Sequence, residues 1–236
     1  MMPFDWLRRR PAEPIAQPLL DACAQLPSPG QWRDVPLREQ RFVVLDLETS
    51  GLNMQRDQVL SIGAVVIEDG AINLGQQFEC TLQRHAQPVS PSVLIHGIAP
   101  SALAAGVVPA DGLLAFMQFV GDSPLLAFHA PFDQHMLSKA LKQELGYNLE
   151  HRFLDVADLA PMLCPDITLR QAGLDDWTAH FGLQVQQRHH ASADALVTAE
   201  LALILFSRAR QQGLHSPAAL ADALARWQRR QHRPSL

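Results

Sequence analysis

The 236-residue chain has only three cysteines, Cys23, Cys80 and Cys164, and they lie far apart. Without paired spacing they form neither a disulfide framework nor a structural zinc site. They read as small buried or half-buried thiols, and a reducing cytoplasmic setting is the expectation. No apolar run approaches the ~20 residues that a membrane-spanning helix needs. The stretch Ala199 to Phe206 is apolar but short, and it reads as a buried helix. Arg8-Arg9-Arg10 is followed by prolines rather than by an apolar segment, which is not the pattern of a signal peptide. No internal repeat is apparent.

Basic residues are scarce where the chain is most apolar. Residues 41–207 hold 8 Lys+Arg against 18 Asp+Glu, a formal charge of −10. Residues 208–236 hold six arginines (Arg208, Arg210, Arg226, Arg229, Arg230 and Arg233) and one aspartate, a charge of +5. Such a tail can contact phosphates without sequence preference. A solvated, positively charged helix end is the competing reading. Bound cations would offset part of the negative charge of the middle.

Three regions follow from these patterns. Residues 1–40 carry Pro3, Pro11, Pro14, Pro18, Pro27, Pro29 and Pro36, which leaves room only for a short helix over Leu19 to Leu26. Residues 41–207 alternate strand and helix patterns, and 208–236 form a basic helical tail. Strands are expected at 41–47, 58–68, 71–83, 124–128 and near Phe153 to Val156. Glu68-Asp69-Gly70 is a hairpin turn signal. Helices are expected within 90–105, from Pro109 to Val120, and over 132–145, 168–181 and 191–212. Ser216 and Pro217 read as the cap and first residue of a terminal helix. This alternation makes an α/β sandwich with a mixed sheet.

Chemistry concentrates first at Arg41-Phe-Val-Val-Leu-Asp-Leu-Glu-Thr-Ser-Gly-Leu52. Strand residues i and i+2 share a face, so Asp46 and Glu48 present two carboxylates side by side at a strand end. Like charges that close are unfavourable unless a cation sits between them. Hard oxygen donors suit Mg²⁺ or Mn²⁺. Asp133 closes Ala127-Phe-His-Ala-Pro-Phe-Asp133 after another apolar run. His189-His-Ala-Ser-Ala-Asp194 opens a long helical pattern.

In order, these segments resemble the three motifs of the DEDDh (DnaQ-like) 3′–5′ exonuclease family. The first matches Asp-x-Glu-Thr-x-Gly-Leu, and the third matches His-x-Ala-x-x-Asp. The second departs, with Phe128-His129-Ala130 where the family often has His-Asn-Ala. The resemblance covers roughly residues 41–207 and is similar in kind to the proofreading epsilon subunit of bacterial replicative polymerases.

The resemblance implies a ribonuclease-H-like fold with a mixed five-stranded sheet flanked by helices. It implies two divalent cations, Mg²⁺ or Mn²⁺, and a 3′–5′ exonuclease releasing nucleoside monophosphates. In it Asp46 bridges the two ions, Glu48 and Asp194 complete the nucleophile-side ion, and Asp133 holds the leaving-group ion. His189 is the general base, selected over His190 by its five-residue offset from Asp194. Thr49, Gly51, Leu52, His96 and Phe132 fall at the terminal-nucleotide pocket; core packing is the competing role for Leu52 and Phe132. Ser61 stands where many relatives have glutamate. His129 is a candidate for orienting a ligand. The implied partners are single-stranded or frayed 3′ ends of nucleic acid, DNA before RNA, and a DNA polymerase or repair complex, with no membrane. Two alternatives stay open: an RNA-processing exoribonuclease, and a non-catalytic nucleic-acid-binding module associated with a polymerase.

Overall fold

The computed structural model describes residues 14–84, 97–169, 172–184 and 189–231. Helix α1 (Gln17–Ala24) precedes a three-strand meander of β1 (Phe42–Thr49), β2 (Val59–Glu68) and β3 (Ala71–Thr81). Helices α2 (Pro100–Ala104) and α3 (Pro109–Val120) lead to β4 (Leu125–Ala127), α4 (Ala130–Leu145) and β5 (Phe153–Asp155). Then come α5 (Val156–Leu163), α6 (Leu174–Phe181), the long α7 (Ala191–Gln211) and α8 (Pro217–Gln231). The five strands form one mixed sheet in the order β3-β2-β1-β4-β5. The β1–β2 and β2–β3 pairs are antiparallel, and β1–β4 and β4–β5 are parallel.

Alternation along β1 divides the interior in two. Phe42 and Val44 pack with Val65, Ile67 and residues of α5 to α8 on one face. Val43, Leu45 and Leu47 pack with Ile62, Ala64, Val66 and residues of α3 and α4 on the other. Asp46 and Glu48 share the parity of Phe42 and Val44, so they leave the sheet on the side that α7 covers. Among the described residues no helix is long and apolar enough to cross a membrane. Cys80 and Cys164 are buried, Cys23 is half-buried, and all three are free thiols.

Two local expectations needed correction. Residues 156–163 are helical, as α5, with Pro161 inside the helix. Asp155 caps it: its side chain accepts the Ala157 amide at 3.0 Å. A proline in an eight-residue helix hides the helical pattern, because it removes one ladder donor. The following helix, α6, begins at Leu174 rather than 168, where Asp176 accepts the Gly173 amide at 3.0 Å. In the region expected to be helical within 90–105, α2 occupies Pro100–Ala104, and positions 90–96 lie outside the described residues.

Candidate nuclease site

The end of β1 and the start of α7 build the site. Each of Asp46, Glu48 and Asp194 offers a carboxylate oxygen, and these oxygens lie within 4.8 Å of one another. Asp194 is in the first turn of α7, where its amide donates to the His190 carbonyl at 2.9 Å. Its Oδ2 accepts the His189 amide at 3.0 Å. His189 reaches that position with φ 62°, a left-handed conformation unusual for a residue with a side chain. The helix start therefore folds back onto its own carboxylate and fixes it.

What brings α7 so near β1 is a glycine. Gly63 on β2 pairs with Asp46 across the ladder. A Cβ at Gly63 would stand 2.1 Å from Ala191 C and from Ser192 N. The backbone of α7 lies directly on β2, and any side chain there would push Asp194 away from Asp46. Gly63→Ala is expected to cost about 1–3 kcal/mol through overpacking. It should also abolish the rise in melting temperature that is expected of the wild type in Mn²⁺. Thermal melts in chelator and in Mn²⁺ test both; a wild-type Mn²⁺ response in Gly63→Ala would refute the role given to this contact.

Asp133 does not join the three-carboxylate group. It lies on α4, 4% exposed. Burial raises its carboxyl well above the ordinary range, opposed by its own amide and that of Leu47, and reinforced by Asp155 and Glu48. Asp155 is the residue that sequence reasoning missed. It ends β5, is buried, and accepts the amides of His129 and Ala157, each at 3.0 Å. Burial likewise raises its carboxyl, with Asp158 adding to the effect. An aspartate between a strand pattern and an apolar helix start is an N-cap signal that could have found it.

A buried acid raised above its unfolded value stabilises the fold at low pH and loses that contribution as pH rises through the folded value. Without metal, part of the stability should therefore disappear as pH climbs from about 4. Asp133→Asn is expected to flatten that fall and to melt higher than wild type at alkaline pH in chelator. Parallel melting curves for the two proteins across pH would contradict it.

The two adjacent histidines differ. His190 is engaged: Nδ1 is 3.0 Å from Ser192 Oγ, and Nε2 is 3.5 Å from Glu79 Oε1. His189 is exposed beside Asp194. His129 caps α4 with φ 65°, filling a left-handed position. Its ring meets Phe128 edge-on, with centroids 4.8 Å apart. His96 lies outside the described residues.

The loop after β1 is tightly organised. Thr49 Oγ1 donates to the Gly51 carbonyl at 2.9 Å. Gly51 is needed for close approach, since a Cβ there would stand 2.5 Å from Asp57 Oδ2. That same oxygen accepts the Asn53 amide at 2.7 Å, and Asp57 Oδ1 accepts Ser50 Oγ at 3.0 Å. From α4, Lys139 Nζ donates to the carbonyls of Met54 (3.0 Å), Gln55 (3.0 Å) and Asp57 (2.8 Å). An ammonium has three protons, and all three are used. The frame leaves Leu52 85% exposed, so core packing is excluded for it. Phe132 is half-buried and packs with the α3 and α4 side of the core. Ser61 is buried, opposite Glu48 in the ladder.

The donor set fits a hard divalent cation: three carboxylates converge, and among the described residues no other group of three or more His, Cys, Asp or Glu does so.

A mixed five-stranded sheet with acids at the carboxyl end of its central strand is the ribonuclease-H-like nuclease architecture. Solved structures share it. Exonuclease I of E. coli in complex with a dT13 oligonucleotide superposes with a TM-score of 0.61 at 18% identity, covering 74% of this chain and 42% of that one. Exonuclease X in complex with 5′ overhanging duplex DNA gives 0.58 at 22% identity, covering 78% and 99%. Residues 43–202 match the RNase T family, described as exonuclease, and the chain belongs to that family. The PolC-type DNA polymerase III of Thermotoga maritima is 31% identical over 181 residues, 77% of this chain and 13% of the relative. A DNA polymerase III subunit epsilon-like protein of Rhodobacter capsulatus is 30% identical over 185 residues, 77% and 26%. The chain spans only a minor part of the length of either relative.

Proposed function

We propose that this protein is a metal-dependent 3′–5′ exonuclease acting on single-stranded or frayed DNA and releasing nucleoside monophosphates. The observation that carries the reading is the convergence of Asp46, Glu48 and Asp194 within 4.8 Å at the end of β1. Bound there, divalent ions supply charge stabilisation for the phosphoryl oxygens and acidify water. Asp46, Glu48 and Asp194 would hold them, and Asp133, buried near Glu48, would complete the set. His189 accepts the proton of the attacking water. Its competitor His190 already faces Ser192 and Glu79.

Thr49, Gly51 and Leu52 seat the 3′-terminal nucleotide. Leu52 stands clear of the protein, where an apolar side chain can wedge between the last two bases. Phe132, half-buried against the core at the start of α4, is assigned to the edge of this pocket, while His96 lies outside the described residues. Lys139 acts through the loop: it holds the segment that carries Leu52 without touching the substrate. Lys139→Met is expected to raise KM about tenfold, the cost of losing charge-assisted hydrogen bonds, while changing kcat little. A fall in kcat with KM unchanged would place Lys139 in the chemistry instead.

The relatives among DNA polymerase III proteins support a polymerase or repair assembly as the partner. The deciding experiment offers 5′-labelled DNA and RNA strands to the purified protein in Mg²⁺, in Mn²⁺ and in EDTA. Laddering from the 3′ end of DNA, lost in EDTA and lost with a blocked 3′ terminus, is the expected result. Faster digestion of RNA would make it an exoribonuclease, and cutting of a closed circular strand would make it an endonuclease.

A further inference from the structure

Two clefts on the surface differ in character. One lies beside α8, where Trp227 meets His129; its lining is mostly apolar, holds no lysine or arginine, and its one acid is Asp158. The other is a groove of about 740 Å³ along the outer face of α4. Pro131, His135, Ser138 and Lys142 line it at steps of four, three and four residues, which places them on one face of the helix. Gln134, Lys139 and Gln143 stand beside them, and Gln55 forms the opposite wall from the loop after β1. From Pro131 to Gln143 the helix rises about 18 Å.

The groove has no acid in its lining, although residues 41–207 carry −10. Lys139 and Lys142 are the only lysines of the chain, and both are here. Lys139 directs its three protons to loop carbonyls but keeps its charge. Lys142 is exposed, and its partner Asn148 Oδ1, at 3.1 Å, is neutral. Among the described residues neither lysine has a carboxylate partner. The glutamine amides, the Ser138 hydroxyl and the His135 ring add neutral hydrogen-bonding groups. A cleft lined by one sign of charge draws in ligands of the other. Lysine, glutamine and serine side chains contact phosphate without reading sequence. The groove starts in the first turn of α4, which carries Phe132 and Asp133. Its opposite wall belongs to the loop that presents Leu52, so it leads away from the candidate nuclease site.

We infer that this groove is a track for the sugar–phosphate backbone of the substrate strand, upstream of its 3′-terminal nucleotide, with Lys142 as the far phosphate contact. The inference rests on the nucleic-acid reading of the site. Strands long enough to reach Lys142 then bind better than dinucleotides, whatever their sequence, and the gain fades with salt.

The test uses the full chain in EDTA, so that nothing is cut. The probes are dT2, dT12, and a dT12 whose internal phosphates are replaced by uncharged methylphosphonates. Wild type is expected to bind dT12 more tightly than dT2. Lys142→Gln should weaken dT12 binding several-fold and leave dT2 binding unchanged. It should also lower the slope of log affinity against log salt by about 0.7, the share of one phosphate contact on a single strand. Gln143→Glu puts a carboxylate into the groove and should weaken dT12 binding in the same way. Both residues are exposed, so neither change disturbs the core. On the methylphosphonate strand both variants should match wild type. The basic tail is the rival grip. A wild-type salt slope in Lys142→Gln with a lowered slope in Arg230→Gln would overturn the track, as would equal losses on dT12 and its uncharged analogue. Cleavage of dT2 in Mg²⁺ by the wild type reports separately on the proposed activity, because a dinucleotide ends short of Lys142.

Discussion

Asp46→Ala is expected to remove cleavage altogether while leaving the fold intact. Removing one preorganised electrostatic group from an active site costs about 10²–10³-fold. Asp46 should cost more, because it stands in the carboxylate group on which the proposed metal site depends. Its loss also relieves repulsion within that group, so the metal-free variant should melt no lower than wild type in chelator. The Mn²⁺-induced rise in melting temperature should vanish with activity. Undiminished turnover by Asp46→Ala, or full wild-type activity in excess EDTA, would refute the proposed site.

His189→Ala should lower kcat by roughly 10²–10⁴-fold, the usual worth of a positioned general base. His190→Ala should do far less, since its ring is turned to Ser192 and Glu79. The two residues adjoin the same helix start, so each variant serves as the other's control for disruption of α7. The left-handed His189 backbone adds a second expectation. Because its amide holds Asp194 Oδ2, His189→Ala keeps that bond and should keep metal affinity near wild type. A deficit that grows as metal is diluted would mean that the substitution acts through Asp194, and the reverse ranking of the two variants would move the base to His190.

Much of the fold was legible because its signals are local. The apolar run Phe42 to Leu45 followed by Asp46-x-Glu48 announces a buried strand with two acids on one face. Glu68-Asp69-Gly70 announces the hairpin, and both Asp69 and Gly70 take positive φ there. Ser216 accepts the Ala219 amide at 3.2 Å, as a cap before Pro217 should. Helix α5 was hidden because Pro161 contradicts the pattern that its neighbours make. Asp155 was overlooked because its cap signal belongs to the helix that Pro161 hides, and because its other partner, the His129 amide, comes from the preceding strand–helix unit.

The residue types and spacings by themselves determined which acids are available, on which side of β1 two of them stand, and that Asp194 opens a helix. Those are consequences of side-chain alternation and helix periodicity, which act over a few residues. Only the tertiary structure decided that Asp194 meets Asp46 and Glu48, and that Asp133 lies buried near Glu48 and Asp155 without joining that group. It also decided that Lys139 clamps the loop presenting Leu52, and that Trp227 joins His129 around one cleft. These depend on the approach of segments distant in the chain, set by which backbones can touch. At Gly63 the missing Cβ allows α7 to lie against the sheet, and no local pattern in the sequence encodes what it lies against.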